Sequence, residues 1–328
     1  MSFHNPPMVS IIVPVYNREQ KVIRAIRSIQ QQSFAGWELI LIDDASTDNT
    51  KQAIESEITL DSRIKLVNNK YSKGPSGGRN TGLDYSTGKY IAYQDSDDEW
   101  APHHLQTMVH YLEKYPEEID LMSANPLRKN EVDGSVFNYD ELDLNKLPAK
   151  KVDTGYLIDK ELIFDIQLRG RAITTQCMIG KAEIMKSVRW REELKAAVDI
   201  MHNLELAAKK INVCHIQDYH AIYWAHDDNL TDVSGLHEPI RMERVHNSFA
   251  RYWELVLEIM PLNKSQLAYV KDNLSKCYAW HLAYHTYLPQ KKYKEASQFY
   301  KKAIMLKPSK FKFWKGYITV FLFSFLRR

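Results

Sequence analysis

The segment Ile91–Trp100, "IAYQDSDDEW", runs an apolar strand straight into Asp95, Asp97, Asp98 and Glu99. Carboxylates packed this closely along a chain repel one another unless something positive sits among them. A solvated surface turn could carry them, and so could a cation site. What precedes the segment decides between these.

Upstream, short β-rich runs alternate with helical patterns, which predicts a parallel sheet built from βα units. "VSIIVPV" (Val9–Val15) reads as a buried strand, and Val22, Ile23, Ile26 and Ile29 recur at helical spacing, predicting an amphipathic helix over Glu19–Gln32. "WELILID" ends a second strand at Asp43, "DDASTDNT" offers N-cap residues to a helix reaching about Glu57, and "RIKLVNN" is a third strand. "KGPSGGRNTGLDYS" begins as a Gly-rich turn and continues as a helix, and "KYIAYQ" is the fourth strand. Open parallel sheets bind ligands at the carboxyl ends of their strands. Asp43, Asp44, Asp95 and Asp97 all fall there.

Farther along, Pro102–Lys114 reads as a helix, "IDLMSAN" as a strand, and Pro126–Arg171 as a polar excursion near the same face. "AITTQCMIG" reads as a strand, and "KAEIMKS" and Asp199–Lys210 as helices. "YKEASQFYKKAIMLKP" has the rhythm of the second helix of a tetratricopeptide repeat. Only one such unit occurs, so a helical hairpin is expected rather than a solenoid.

The 328 residues suffice for one large domain with additions or for two, and 44% hydrophobic with 26% charged residues is ordinary for a globular protein. Cys177, Cys214 and Cys277 form no C-x-x-C pair, which argues against a zinc knuckle or disulfide framework and fits a reducing cytoplasm. The N-terminus has no signal-like apolar stretch, and no window reaches the roughly 20 apolar residues of a spanning helix. Net charge is +3, but Lys264–Arg328 holds 14 Lys and Arg against 2 Asp and Glu, while the rest of the chain holds 30 against 39. An acidic module and a basic module are therefore expected.

The basic module ends in "KFKFWKGYITVFLFSFLRR", the composition of an interfacial anchor. Trp314, Tyr317, Phe321, Phe323 and Phe325 would enter an anionic membrane surface, with Lys310, Lys312, Lys315, Arg327 and Arg328 on the headgroups. As a helix, Gly316–Leu326 reaches only about 16 Å, too short for a hydrocarbon core of about 30 Å. Packing on protein, within the chain or in an oligomer, is the other use of this stripe.

"VSIIVPVYNRE", "LIDDASTDNT", "GPSGGRNTGL" and "YQDSDDEW", in this order, resemble the nucleotide-sugar-binding half of a family 2 glycosyltransferase. The resemblance covers Val9 to about Asn125 closely and Thr174–Thr231 more loosely. It implies an α/β GT-A fold, a Rossmann-like and mostly parallel sheet flanked by helices, followed by a helical C-terminal region. The expected division is a nucleotide-sugar-binding part at 1–125, an acceptor and catalytic-base part at 126–235, and a helical region at 236–328. The implied activity is transfer of a sugar, with inversion, from a nucleotide donor, UDP-linked by expectation, to a glycan or lipid-linked glycan in cell-surface polysaccharide synthesis. The expected location is the cytoplasmic face of the membrane, without a nucleic-acid partner.

The same resemblance assigns site residues. Asp97 becomes a ligand of Mn2+ or Mg2+, Asp95 lies near the ribose or metal, and Asp44 binds the base. Pro14, Tyr16 and Asn17 wall the nucleotide pocket, and Arg79 supplies a cation near phosphate or base. In "VRWREELKAAVDIMHNLELAA" the base falls on Asp199, although Val198 stands where the family often has an acid; "YWAHDDNLT" gives His226 to the metal or diphosphate. The chemistry agrees, because a departing diphosphate needs a hard cation held by carboxylates, and inversion needs a base to take the acceptor's proton. Asp43, Asp44 and Asp199 also suit helix N-caps, and Arg79 a salt bridge. Two other functions fit the layered pattern: a nucleotidyltransferase, which would want a Gly-rich, Arg-containing loop where "VYNREQ" stands, and an inactive homologue acting as a membrane-bound scaffold.

Overall fold

The computed structural model describes residues 6–137, 144, 147–170, 172–226 and 238–326, with Phe325 and Leu326 described by their backbone alone. The chain divides into two compact units, one of residues 1–192 and 199–226, the other of 193–198 and 227–328.

The first unit is built on a mixed sheet of ten strands among the described residues. Its opening third follows the expected βα alternation: β1 (Val9–Val15), α1 (Lys21–Gln30), β2 (Trp37–Asp43), α2 (Thr50–Ile58), β3 (Ile64–Asn68), α3 (Pro75–Tyr85) and β4 (Tyr90–Tyr93). Then come β5 (Glu99–Trp100), α4 (His104–Lys114), β6 (Leu121–Asn130), β7 (Lys150–Val152), β8 (Gly155–Ile158), α5 (Ile163–Arg169), β9 (Ile179–Lys181), α6 (Ala182–Lys186), α7 (Val198–Ala207) and β10 (Val213–Ala225). The strand order is β3-β2-β1-β4-β9-β6-β10-β8-β7, with β5 added against β10.

β1 to β4 run parallel, and β9 lies antiparallel between β4 and β6. β6 therefore points the same way as β4, and β10 is parallel to β6. The carboxyl ends of β2, β4 and β10 thus share one edge of the sheet, which brings Asp43 and Asp44, the acidic turn and His226 to the same side.

Burial explains the strand assignments. Ile11, Ile12, Leu39, Ile40, Leu41, Ile42, Ile91 and Ala92 are fully buried, as expected of strands covered on both faces. Helix α3 lies close over β1: a Cβ on Gly78 would come within 2.8 Å of the Pro14 Cβ. Glycine is what lets the helix seat there.

Two expectations fail locally. Part of Pro126–Arg171 belongs to the sheet rather than to an excursion: β6 continues to Asn130, β7 and β8 pair with each other, and β8 pairs with β10. Val152, Ile158 and Ile163 are buried, but so few apolar positions among polar residues leave no readable period. "AITTQCMIG" is a 3-10 turn, Thr175–Cys177, before the short β9.

The second unit is helical: α8 (Pro239–Ile259), α9 (Lys264–Lys276), a π-helical run Cys277–Tyr287, α10 (Tyr293–Leu306) and α11 (Phe311–Leu326). A reciprocal cap opens α9, where Asn263 Oδ1 accepts from the Gln266 amide and Gln266 Oε1 accepts from the Asn263 amide, each at 3.0 Å. Leu274, Leu282, Tyr287, Tyr300, Phe313 and Val320 form its core. No helix among the described residues is long and apolar enough to cross a membrane.

Four buried histidines of the first unit carry a testable consequence. Burial pushes His104 and His202 well below the usual imidazole range, and His215 and His220 down to about 4. Neutral in the fold but protonated when unfolded, each makes the unfolded chain bind more protons below pH about 6.5. Unfolding free energy should therefore fall as pH drops from about 6.5 towards 4, by up to about 1.4 kcal/mol per unit for each histidine. Urea titrations at pH 7.5, 6 and 5 measure this, and equal stability at all three would contradict it.

Candidate active site

The loops after β1 and β2 are laced together. Asn17, at φ 49°, accepts from the Thr47 amide at 2.8 Å, and its own amide donates to Ser46 Oγ at 3.1 Å. The adjacent aspartates divide their work. Asp43 accepts from the amides of Ala45 (3.1 Å) and Ser46 (3.2 Å) and pairs with Lys51 at 3.1 Å, so it holds the turn. Asp44 points the other way, accepting from Asn69 Nδ2 at 2.7 Å and the Gly74 amide at 2.8 Å. This leaves each of its oxygens acceptor capacity. Tyr16 stays 41% exposed on this rim, with Lys73 Nζ 4.0 Å from its ring centre.

Beyond β4 every carboxylate of the acidic turn has a partner of its own. Asp95 accepts from Arg79 at 2.6 Å and from Gln176 Nε2 at 3.2 Å. Asp97 Oδ2 faces Arg18 Nε at 3.3 Å and His226 Nε2 at 3.1 Å. Burial opposes the Asp97 charge, but the hydrogen bond from His226 and the charge of Arg18 outweigh it, holding its pKa below the usual carboxylate range. Asp98 is buried and accepts from Gln176 and, at 3.0 Å, from the Trp224 amide. Burial first, then the charges of Asp97 and Asp95, push its carboxyl well up. Glu99 accepts from Trp224 Nε1 at 2.7 Å and meets Arg24 Nε at 3.3 Å.

Strand β10 fastens this turn. Its register shifts between Ile216 and Ala221, after which Ala221 and Ile222 pair with Trp100 and Glu99. That shift carries Trp224 and His226 onto the aspartates. Sequence reading found Asp97 and His226 but missed Arg18, Arg24, Gln176 and Trp224. Of these, Arg18 and Trp224 lie inside the motifs "VYNRE" and "YWAHDDNLT", but nothing there assigned them a partner.

Arg79 faces inward. It is only 6% exposed, bonded to Asp95, with its guanidinium 4.4 Å from the Trp190 ring centre. Asp199 is exposed in the first turn of α7 and makes no hydrogen bond or ion pair among the described residues. Its helix is tied towards the acidic turn: Asn203 donates to Ile173 O at 3.0 Å and to Thr175 Oγ1 at 3.2 Å, beside Gln176. Thr231 lies outside the described residues.

Among the described residues no three His, Cys, Asp or Glu side chains cluster as a self-sufficient metal site. Asp97 Oδ2 and His226 Nε2 converge as a carboxylate–imidazole pair, a donor set that suits a divalent cation completed by oxygens from a ligand.

The sheet, with its acidic turn at the carboxyl edge, has a GT-A-like architecture, and residues 10–149 match the family model described as Glycosyl transferase family 2. The likeness to that family is thus confined to this first part of the chain. Over 146 residues it is 39% identical to the Escherichia coli UDP-Glc:alpha-D-GlcNAc-diphosphoundecaprenol beta-1,3-glucosyltransferase, a match covering 44% of this chain and 51% of that protein. Over 104 residues it is 40% identical to the Campylobacter jejuni GalNAc(5)-diNAcBac-PP-undecaprenol beta-1,3-glucosyltransferase, covering 31% of this chain and 34% of that one. The chain thus spans about half or less of these relatives' length. In fold it is similar to S. aureus TarS 1-349 in complex with UDP-GlcNAc, with a TM-score of 0.62 at 18% identity over 95% of this chain and 90% of that one. It is also similar to the Pyrobaculum calidifontis mannosyltransferase solved with GDP-Man and Mn2+, with a TM-score of 0.57 at 14% identity over 92% and 76%.

The division of labour between Asp43 and Asp44 is open to test. Asp43→Ala frees two backbone amides and Lys51, and should lower unfolding free energy by about 1–3 kcal/mol. Denaturant titration measures the loss; stability unchanged within 0.5 kcal/mol, roughly the effect of an ordinary surface substitution, would contradict the structural role.

Proposed function

We propose that this chain transfers a sugar, with inversion, from a UDP-linked donor to a glycan or lipid-linked glycan acceptor in cell-surface polysaccharide synthesis. The observation that carries the reading is the convergence of Asp97 and His226 at 3.1 Å on the sheet edge that also bears Asp44. The names of the curated relatives, which act on diphosphoundecaprenol-linked glycans, support the acceptor class. The complexes of the fold neighbours with nucleotide sugars support the donor class.

On this reading Asp44 accepts from the base, Tyr16 offers its exposed ring to the base face, and Pro14 and Asn17 shape the wall. Asp95 accepts from the ribose. Asp97 and His226 would hold Mn2+ or Mg2+, which neutralises charge on the leaving diphosphate. Arg18 pairs with Asp97 beside this site, and its guanidinium would suit a phosphate of the donor. Asp199, exposed and unpaired, takes the proton of the acceptor hydroxyl as the new bond forms.

Transfer should require Mn2+ or Mg2+, stop in EDTA, and fall at least ~100-fold in Asp97→Ala. Asp199→Asn should bind UDP-glucose within a few-fold of wild type while losing transfer, whereas Asp44→Ala should weaken that binding. Nucleotide release and calorimetry read these effects. Full turnover in EDTA, or normal transfer by Asp199→Asn, would contradict the assignment. Binding of the donor without any release would favour the inactive scaffold, and release of pyrophosphate a nucleotidyltransferase.

We further propose that α11 rests the enzyme on the anionic inner surface of the membrane. One face of the helix belongs to the core, where Phe313 and Val320 are buried and Gly316 sits so close to Tyr300 that a Cβ would come within 2.5 Å of its ring. The other face exposes Phe311, Trp314, Ile318, Phe321 and Leu322, at helical spacing along one stripe, with Lys312 and Lys315 beside it. Tyr317 packs on the core side, Phe323 is exposed near Tyr293, and the side chain of Phe325 with Arg327 and Arg328 lies outside the described residues. The helix spans about 24 Å at 1.5 Å per residue, short of a hydrocarbon core of about 30 Å.

Truncating the tail would open the core, so substitutions on the exposed stripe are the cleaner test. Wild-type protein should float with vesicles containing phosphatidylglycerol, less so in high salt, and the Trp314→Ser, Ile318→Ser, Leu322→Ser variant should stay in the soluble fraction. Equal flotation of both proteins, or none for wild type, would contradict a membrane role.

A further inference from the structure

Behind the Arg79–Asp95 pair lies a group of buried side chains to which no role has been given. The His202 and Trp190 rings stack at 3.9 Å with 11° between their planes, and Tyr93 meets both edge-on, at 5.8 Å and 5.0 Å. Arg79 places its guanidinium 4.4 Å from the Trp190 ring centre. Tyr93 and His202 are fully buried, and Trp190 and Arg79 nearly so.

This group is costly as a core. Arg79 Nε, Tyr93 Oη, Trp190 Nε1 and both ring nitrogens of His202 are buried without a hydrogen-bond partner. The Trp190 indole lies near the Tyr93 oxygen without reaching hydrogen-bond geometry. Leucine and phenylalanine side chains would fill the same space without burying polar atoms, so packing alone does not account for a His–Trp–Tyr set. What the set offers instead is a rigid π face against a guanidinium. Burial, and then the charge of Arg79, keep His202 neutral, so the stack adds no competing cation.

We propose that the Trp190–His202 stack is a positioning platform for donor binding: it fixes the Arg79 guanidinium, and through it the Asp95 carboxylate, in the orientation that accepts from the nucleotide. The chain of contacts is continuous. His202 backs Trp190, Trp190 faces Arg79, and Arg79 bonds Asp95 at 2.6 Å, while Gln176 holds the other carboxylate oxygen. Neither Trp190 nor His202 touches substrate, so both act through Arg79. The inference rests on the reading of Asp95 as a donor ligand, and the experiment separates the two.

UDP is titrated in the presence of Mn2+ into wild type, Arg79→Ala, Trp190→Leu, Trp190→Phe and the Arg79→Ala, Trp190→Leu double variant. Trp190→Leu should weaken UDP about 10-fold and Trp190→Phe less than about 3-fold, since phenylalanine keeps a π face. The double variant should bind no more weakly than Arg79→Ala alone, because the platform acts only through that guanidinium. In turnover, the loss in Trp190→Leu should appear in KM for the donor rather than in kcat. Wild-type affinity in Trp190→Leu, or additive losses in the double variant, would overturn the platform. Wild-type affinity in Arg79→Ala would overturn the reading of the Arg79–Asp95 pair itself, and the platform with it. Should Trp190→Leu fail to fold, the comparison passes to His202: His202→Phe should bind UDP as wild type does and His202→Ala about 5-fold more weakly, and equal affinity of the two would overturn the proposal.

Discussion

Repulsion among the carboxylates of the Asp95–Glu99 turn is the constraint around which the rest of the first unit is arranged. Two unit charges 4 Å apart cost about 4 kcal/mol at an effective dielectric of 20, so a turn with this many acids holds together only if each is answered. The answers come from four directions. Arg79 on α3 meets Asp95, Arg18 after β1 and His226 after β10 meet Asp97, and Arg24 on α1 meets Glu99. Asp98 is the exception, since burial and its neighbours favour its neutral form. The turn is thereby fixed on the sheet edge with Asp97 as its ionised centre, a geometry suited to a cation and a diphosphate.

The fold was legible in the sequence where local pattern and ligand chemistry coincide. Strands β1 to β4 announce themselves as apolar runs ending in polar loops, and the position of Asp44 and Asp97 past strand ends follows directly. His226 was reachable because it sits in its own short motif. The partners that make the turn work were not, since they are matched across long sequence separations: Gln176 to Asp98, Trp224 to Glu99, His202 to Trp190. Nothing in "AITTQCMIG" distinguishes a buried strand from the 3-10 turn that carries Gln176. Strands β7 and β8 escaped for a related reason, because strands of three and four residues have too few buried positions to establish alternation.

The helical unit illustrates the opposite limit. Its amphipathic tail could be read as an anchor or as core, and α11 has a buried and an exposed apolar face, with Phe313 and Val320 inward and Trp314, Ile318 and Leu322 outward. Composition could not separate the faces because both are apolar. The seating of Gly316 on Tyr300, with Phe313 and Val320 buried beside it, fixes which way the helix turns.

The central claim is that Asp97 and His226 form a cation site completed by a nucleotide diphosphate. Pulsed electron paramagnetic resonance of Mn2+ added to the protein with UDP tests it most directly. The account predicts a nitrogen coupling from an imidazole that requires UDP and vanishes in His226→Gln, with Asp97→Ala abolishing the bound Mn2+ signal. A bound signal that ignores UDP, or that keeps its nitrogen coupling in His226→Gln, would contradict it.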